Sequence, residues 1–274
     1  RPRLSPIAIA VSIFTVVLGL ATIFAEDSLK SFWSNYERME GYILFIHLFA
    51  YFFIVGAVLK FKEGWWKWFF ISSLVISVIV GSQALIDFHS DPNSVGYRIF
   101  GHLGNSSYLG IYSLIHFFIA LFLIIQKVAR KSVNTLNQEG AWVAISFYAL
   151  IAIFNIVIMF NTGTRGSFVG LVGGVFVTAL LIAIFERKNK VLRTTGVALI
   201  VVSILFVLAL GLGRNTSLVK NSDMLTRFSE LVTLDVKGVL GNQGKARSLL
   251  WGIAWEGFKD RPVVGWGLDN FHYV

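Results

Sequence analysis

The chain has 274 residues, of which 55% are hydrophobic and only 14% charged, with 25 Phe, 8 Trp and 8 Tyr and a net charge of +9. So little charge among so much apolar side chain excludes an ordinary soluble domain and makes lipid the solvent for most of the chain. There is no Cys, which excludes a disulfide framework and a thiolate metal site and leaves the redox compartment open.

A membrane span needs roughly 20 mainly apolar residues. Seven segments qualify: Leu4–Ala25, Tyr42–Leu59, Trp68–Ile86, Tyr108–Gln126, Ala141–Phe160, Phe168–Phe185 and Thr195–Gly213. They are expected to be helices, because a lone strand would strand its backbone polar groups in hydrocarbon. Arg1-Pro2-Arg3 ahead of the first segment mimics a secretory leader, but Ala25-Glu26-Asp27 makes a poor cleavage site, so this too is a span. Residues 1–213 thus form a transmembrane bundle, an all-α fold. Residues 214–274 hold no fully apolar run and read as the start of a large extracytoplasmic loop. Arg1 in place of Met, and an end at Val274 within a motif, are expected of a piece of a longer protein.

Orientation follows from Lys and Arg in alternate loops. One side holds twelve: Arg1, Arg3, Lys60, Lys62, Lys67, Lys127, Arg130, Lys131, Arg187, Lys188, Lys190 and Arg193. The short loops of the other side hold four: Lys30, Arg38, Arg98 and Arg165. The N-terminus is therefore expected in the cytoplasm, with loops 26–41, 87–107 and 161–167 and the long tail outside. Inside the spans the ionisable groups are His47 and His116, with no Asp, Glu, Lys or Arg. That argues against an ion-coupled transporter, which carries such groups at the midplane. Each His is expected to be a hydrogen-bonded packing residue, and the chemistry to sit at the outer membrane surface.

Four stretches there, in chain order, have the residues for it. Glu26-Asp27, with Asp87 and Asp91, offers carboxylates to a divalent metal, or merely the solvated outer ends of helices. Arg98 to Tyr108 crowds Gly, Asn and Ser at the entrance to the fourth span. Ser106 or Ser107 is available there as a helix cap, and Asn105 to bind a sugar or fix the loop. Asn105-Ser106-Ser107 and Asn215-Thr216-Ser217 also fit the short glycosylation pattern. Asn161-Thr162-Gly163-Thr164-Arg165-Gly166-Ser167 is a tight polar turn. Glycine lets its backbone approach a ligand, the next helix begins there with free amides, and Arg165 adds a fork suited to phosphate. A plain helix connection whose Arg reaches lipid headgroups accounts for the same residues. Gly166, Gly170 and Gly174 then form a small-residue stripe for close helix packing.

In the tail, residues 224–234 carry a weak helical pattern through Leu225, Phe228, Leu231 and Val232. Residues 247–259 read as an amphipathic helix lying at the interface, with Trp251, Trp255 and Phe258 on one face. Arg247 begins it, Pro262 ends it, and Gly265 and Gly267 shape the following turn.

Taken in order, four tracks resemble the O-antigen ligase and O-antigen polymerase family of membrane glycosyltransferases. They are Ser31-Phe32-Trp33 with Arg38-Met39-Glu40-Gly41; Arg98 with Gly104-Asn105; Thr162-Gly163-Thr164-Arg165-Gly166; and Arg247, Trp251, Phe258 to Pro262, Gly265-Trp266-Gly267 and Asn270-Phe271. The resemblance implies a C-type glycosyltransferase fold that takes a glycan from an undecaprenyl-diphosphate carrier. The acceptor, a glycan, a lipid or a protein, stands at the outer face of a bacterial-type cytoplasmic membrane. It implies no metal and no cofactor, and no nucleic-acid partner is expected. By resemblance Arg165 and Arg247 hold the diphosphate, Arg98, Asn105, Gly163, Thr164 and Gly166 bind substrate, and the catalytic His lies beyond Val274. Two other functions fit the residues: a metal-dependent oligosaccharyltransferase of similar fold, and a polysaccharide exporter or flippase in which the arginines only guide an anionic lipid.

Overall fold

The computed structural model of the chain describes residues 5–36, 39–60, 64–90, 98–131, 138–186, 189–221, 225–226, 228–229 and 242–273. The chain folds as two compact units, residues 1–66 with 236–274, and residues 67–235. Seven of the described helices are long and apolar enough to cross a membrane, and no strand occurs among the described residues.

The first unit contains α1 (Pro6–Ile23), α2 (Ser28–Trp33), α3 (Tyr42–Lys60) and, after 236, the helix Asn242–Asp260. Ser5 caps α1 by accepting the Ala8 amide at 3.2 Å, with Pro6 in the first turn where its missing N–H costs nothing. Asp27 caps α2, its Oδ1 accepting the Lys30 amide at 3.0 Å. Tyr42 fastens α3 to α1: its hydroxyl donates to the Thr15 carbonyl at 3.2 Å and its ring fills the space left by Gly19. Phe45 also packs edge-on against Phe14 and Leu59 is buried, whereas Tyr51, Phe52 and Ile54 are exposed. Beside lipid tails that is an ordinary surface, since hydrocarbon solvates rings as well as a protein core does. His47 keeps its Nδ1 proton on the Ile43 carbonyl of its own helix, at 2.8 Å.

The second unit contains α4 (Trp65–Ser90, of which 67 onward belongs here), α5 (Ser106–Lys131), α6 (Gln138–Asn161), α7 (Arg165–Phe185), α8 (Lys190–Leu212) and the short α9 (Ser217–Lys220); the Asn242–Asp260 helix is α10. These helices overrun their apolar stretches. The fourth span, apolar over 108–126, is helical from Ser106 to Lys131. Once a helix is nucleated each added residue costs little, and Lys, Arg and Gln are good helix formers. At 1.5 Å per residue, α4 and α5 with 26 residues each exceed the hydrocarbon thickness of about 30 Å. Their polar ends therefore stand in the headgroup layer.

The core of this unit runs between α4, α5 and α6, through Leu74, Ala120, Leu123, Tyr148, Ile151 and Ala152. Nearer the end where α5 begins, Ala84, Ile99, Leu109 and Ile158 form a second cluster. Phe168, Leu210 and Phe228 form a third, with the rings of Phe168 and Phe228 stacked at 3.6 Å. Gly170 and Gly174 let α7 close onto Leu114 and Phe118 of α5, as small-residue packing predicts, whereas Gly166 faces open space. His116 is a packing residue: its Nδ1–H donates to the Tyr112 carbonyl at 2.7 Å, so Nε2 accepts from the Ser73 hydroxyl at 2.9 Å. Asn155, 1% exposed, donates to the Ser77 hydroxyl and the Ile151 carbonyl, which satisfies an amide in the middle of the bundle.

Candidate functional site

In the second unit the polar turn 161–167 joins α6 to α7 and is locked from several directions. Gly163 takes a left-handed conformation, φ +58°, and the Arg98 side chain lies across it. Arg98 Nε donates to the Thr162 carbonyl at 2.7 Å and Nη2 to the Thr164 hydroxyl at 3.3 Å. Beside it the Ile99 amide donates to the Asn161 carbonyl at 3.2 Å. Thr162, fully buried, donates its hydroxyl to the Met159 carbonyl at 2.6 Å. Thr164 reaches the Ser106 carbonyl at 3.2 Å and so ties the start of α7 to the start of α5.

The Thr164 hydroxyl is spent on those contacts. It makes no hydrogen bond to the first turn of α7, although Thr164 holds the capping position. Thr164 thus gives the amides that open α7 no side-chain cap, at an end where the helix dipole favours an anion. Arg165 occupies the first position of that turn, half-buried, and Gly166 beside it leaves open space. Gly110 was not singled out by sequence, yet it is where α5 admits the turn. A Cβ there would stand 2.7 Å from the Ser167 hydroxyl and 2.9 Å from that of Thr162. Its neighbours are side-chain hydroxyls about 50 to 60 positions away, and nothing in its own stretch of sequence marks it.

Asn105 is the cap of α5, its Oδ1 accepting the Ser107 amide at 2.8 Å. The expected caps Ser106 and Ser107 are instead the first residues of the helix itself. Arg98 likewise acts here as a clamp on the turn.

In the first unit the tail folds back on the loop after α1. Arg261 pairs with Glu26 at 2.7 Å and lies over the Trp266 ring, 4.2 Å from its centre. Trp266 Nε1 donates to the Gly257 carbonyl at 3.0 Å. Fully buried Asn270 donates to the Asp27 and Trp266 carbonyls at 3.2 and 3.0 Å. The Ser34 hydroxyl donates to Asp269 at 3.1 Å, and Lys30 Nζ lies 3.3 Å from the His272 ring nitrogen. Gly267, at φ +86°, presses against Ala25 and Ser31, where any side chain would collide.

Glu26 and Asp27 had two readings, and the start of the tail helix one, that the structure bears on. Glu26 and Asp27, offered as metal ligands, are an ion-pair partner and a helix cap. Asp87 belongs to the other unit, Asp91 lies outside the described residues, and no group of three or more His, Asp or Glu gathers among the described residues. The helix expected to begin at Arg247 begins at Asn242, because Gln243, Lys245 and Ala246 prolong it at little cost. Arg247 is therefore an interior position of α10, and its side chain lies outside the described part. Trp251, Trp255 and Phe258 stand 79, 59 and 53% exposed along α10. The pattern at 224–234 falls mostly outside the described residues; 225–226 and 228–229 are helical.

Residues 147–274 match the family model described as O-antigen ligase. This part of the chain is thus similar to O-antigen ligases. Seven helices long and apolar enough to cross a membrane support a multi-pass membrane protein, and the likeness to O-antigen ligases supports a glycosyltransferase-like enzyme. The O-antigen ligase match takes in Gly163, Thr164, Arg165, Gly166 and Arg247, together with the tail of the latch. Arg98 and Asn105, and the loop 26–34 that the tail grips, come from outside it. Neither a curated protein nor a solved structure matches the chain.

Proposed function

We propose that this protein moves a glycan from an undecaprenyl-diphosphate carrier to a glycan, lipid or protein acceptor, at the outer face of the cytoplasmic membrane. The observation that carries this is the start of α7: a first turn that Thr164 does not cap, with Arg165 in it and open space over Gly166, held rigid by Arg98 and Thr164. Breaking a sugar–diphosphate bond builds negative charge on the leaving group. Helix amides and a guanidinium fixed at a low-dielectric interface stabilise that charge without having to reorganise. The Lys and Arg asymmetry of the loops supports an outward-facing turn and a cytoplasmic N-terminus. Arg247 keeps the diphosphate role that the family resemblance implies, on that resemblance alone.

The test is glycan transfer by the protein in membranes, with the level of each variant checked. Arg165→Ala is expected to lose about 3–4 kcal/mol of transition-state stabilisation, a drop of roughly a hundredfold or more. Arg165→Lys is expected to fall nearly as far, because a point charge lacks the planar fork. Transfer at the wild-type rate by Arg165→Ala would remove the proposal.

A further inference from the structure

The first unit contains a pocket of about 380 Å³ lined by Ser34, Glu40, Leu44, Phe45, Leu268 and Asp269. That volume falls in the roughly 300–1,000 Å³ range of small-molecule sites. It is built where the loop after α2, the first turn of α3 and the tail turn meet, all within one unit. The walls differ in kind. Glu40 and Asp269 supply carboxylates and Ser34 a hydroxyl, while Leu44, Phe45 and Leu268 are apolar. The loops that shape it are set with care: Ser34, Met39 and Asp269 have φ of +64, +50 and +55°, a region that side-chain-bearing residues enter only when their surroundings enforce it. Asp269 is fixed there by the Ser34 hydroxyl on its Oδ2 and by its neighbour Asn270, which is tied to Asp27 and Trp266.

We propose that this pocket binds a sugar ring of the glycan substrate. The inference rests on the glycan-transfer reading and adds a site remote in sequence from the α7 turn. A sugar presents hydroxyl donors along its edge and C–H groups on its face. Carboxylates accept from hydroxyls in charge-assisted bonds, and a Phe–Leu wall covers the apolar face. A hard divalent cation calls for six or more oxygen ligands, which a half-apolar wall does not supply.

The experiment is saturation-transfer NMR on the full chain in nanodiscs. The probes are methyl glucoside, methyl galactoside, methyl mannoside and N-acetylglucosamine. Glu40→Gln and Asp269→Asn remove charge while conserving shape, and Asn tolerates the left-handed backbone of position 269 as Asp does. Saturation transfer to at least one sugar, with affinity falling on the order of tenfold in each variant, is the expected result. No transfer to any of the four, or transfer unchanged in both variants, overturns the pocket even if the protein moves glycans. Sugar binding that depends on Glu40 and Asp269, in a protein that transfers no glycan, keeps the pocket and removes the transfer reading. Equal thermal stability of the variants guards against a loss caused by misfolding.

Discussion

Gly267→Ala is the substitution on which the tail latch turns. At φ +86° any residue with a Cβ carries a left-handed penalty of about 1–2 kcal/mol. The added methyl would also stand 2.6 Å from the Ser31 hydroxyl and 3.1 Å from the Ala21 carbonyl, and closer still to the Ala25 methyl. Ser31 is fully buried and Ala21 offers backbone, so neither yields easily. Overpacking of this kind adds about 1–3 kcal/mol. The sum, about 2–5 kcal/mol, raises the population with the tail detached by at least roughly thirtyfold, at about 1.4 kcal/mol per factor of ten. Gly265 is the internal control. Its φ is +66° but nothing lies within 4 Å of a Cβ there, so Gly265→Ala carries the backbone penalty alone. Limited trypsin digestion, read as cleavage after Lys259, reports detachment, and thermal melting in detergent reports the same ordering. Gly267→Ala cleaved no faster than Gly265→Ala would refute the packing argument.

Two further outcomes are expected. Asn105→Ala should lower stability by about 1 kcal/mol through loss of the α5 cap, measurable in the melting temperature, while Ser107→Ala should leave it unchanged. Cysteine placed at exposed Asn221 should react with an impermeant thiol reagent on intact spheroplasts and cysteine at exposed Lys190 should not; the reverse labelling would invert the topology. Asn189 is unsuitable for that comparison, since it is buried as the cap of α8 and a thiol there would be shielded on either side of the membrane.

How far the site was legible follows from what each residue does. Arg165 stood out because a glycine-flanked Arg at a helix start has a chemistry independent of distant partners. Arg98 and Asn105 were singled out as substrate contacts, and their further work as clamp and cap came only from the structure, because the partners there are backbone groups that no pattern announces. Glu26 was open to two readings, metal ligand or solvated helix end, and the ion pair it makes with Arg261 lies across 235 positions. Nor did any motif mark Gly110 or the pocket at Ser34, Glu40 and Asp269, whose walls come from segments far apart in the chain.

Amino-acid order by itself determined the seven spans and the all-α class, since hydrocarbon punishes every unpaired backbone group and each helix pays that debt internally, from its own residues. The resemblance to O-antigen ligases was legible too, because its motifs sit on short contiguous stretches. Helix ends, the latch and the lock on the α7 turn were decided only by tertiary structure. A hydrogen bond from Arg98 to Thr162, or a glycine pressed on Ala25, joins residues whose separation in sequence carries no information about their separation in space.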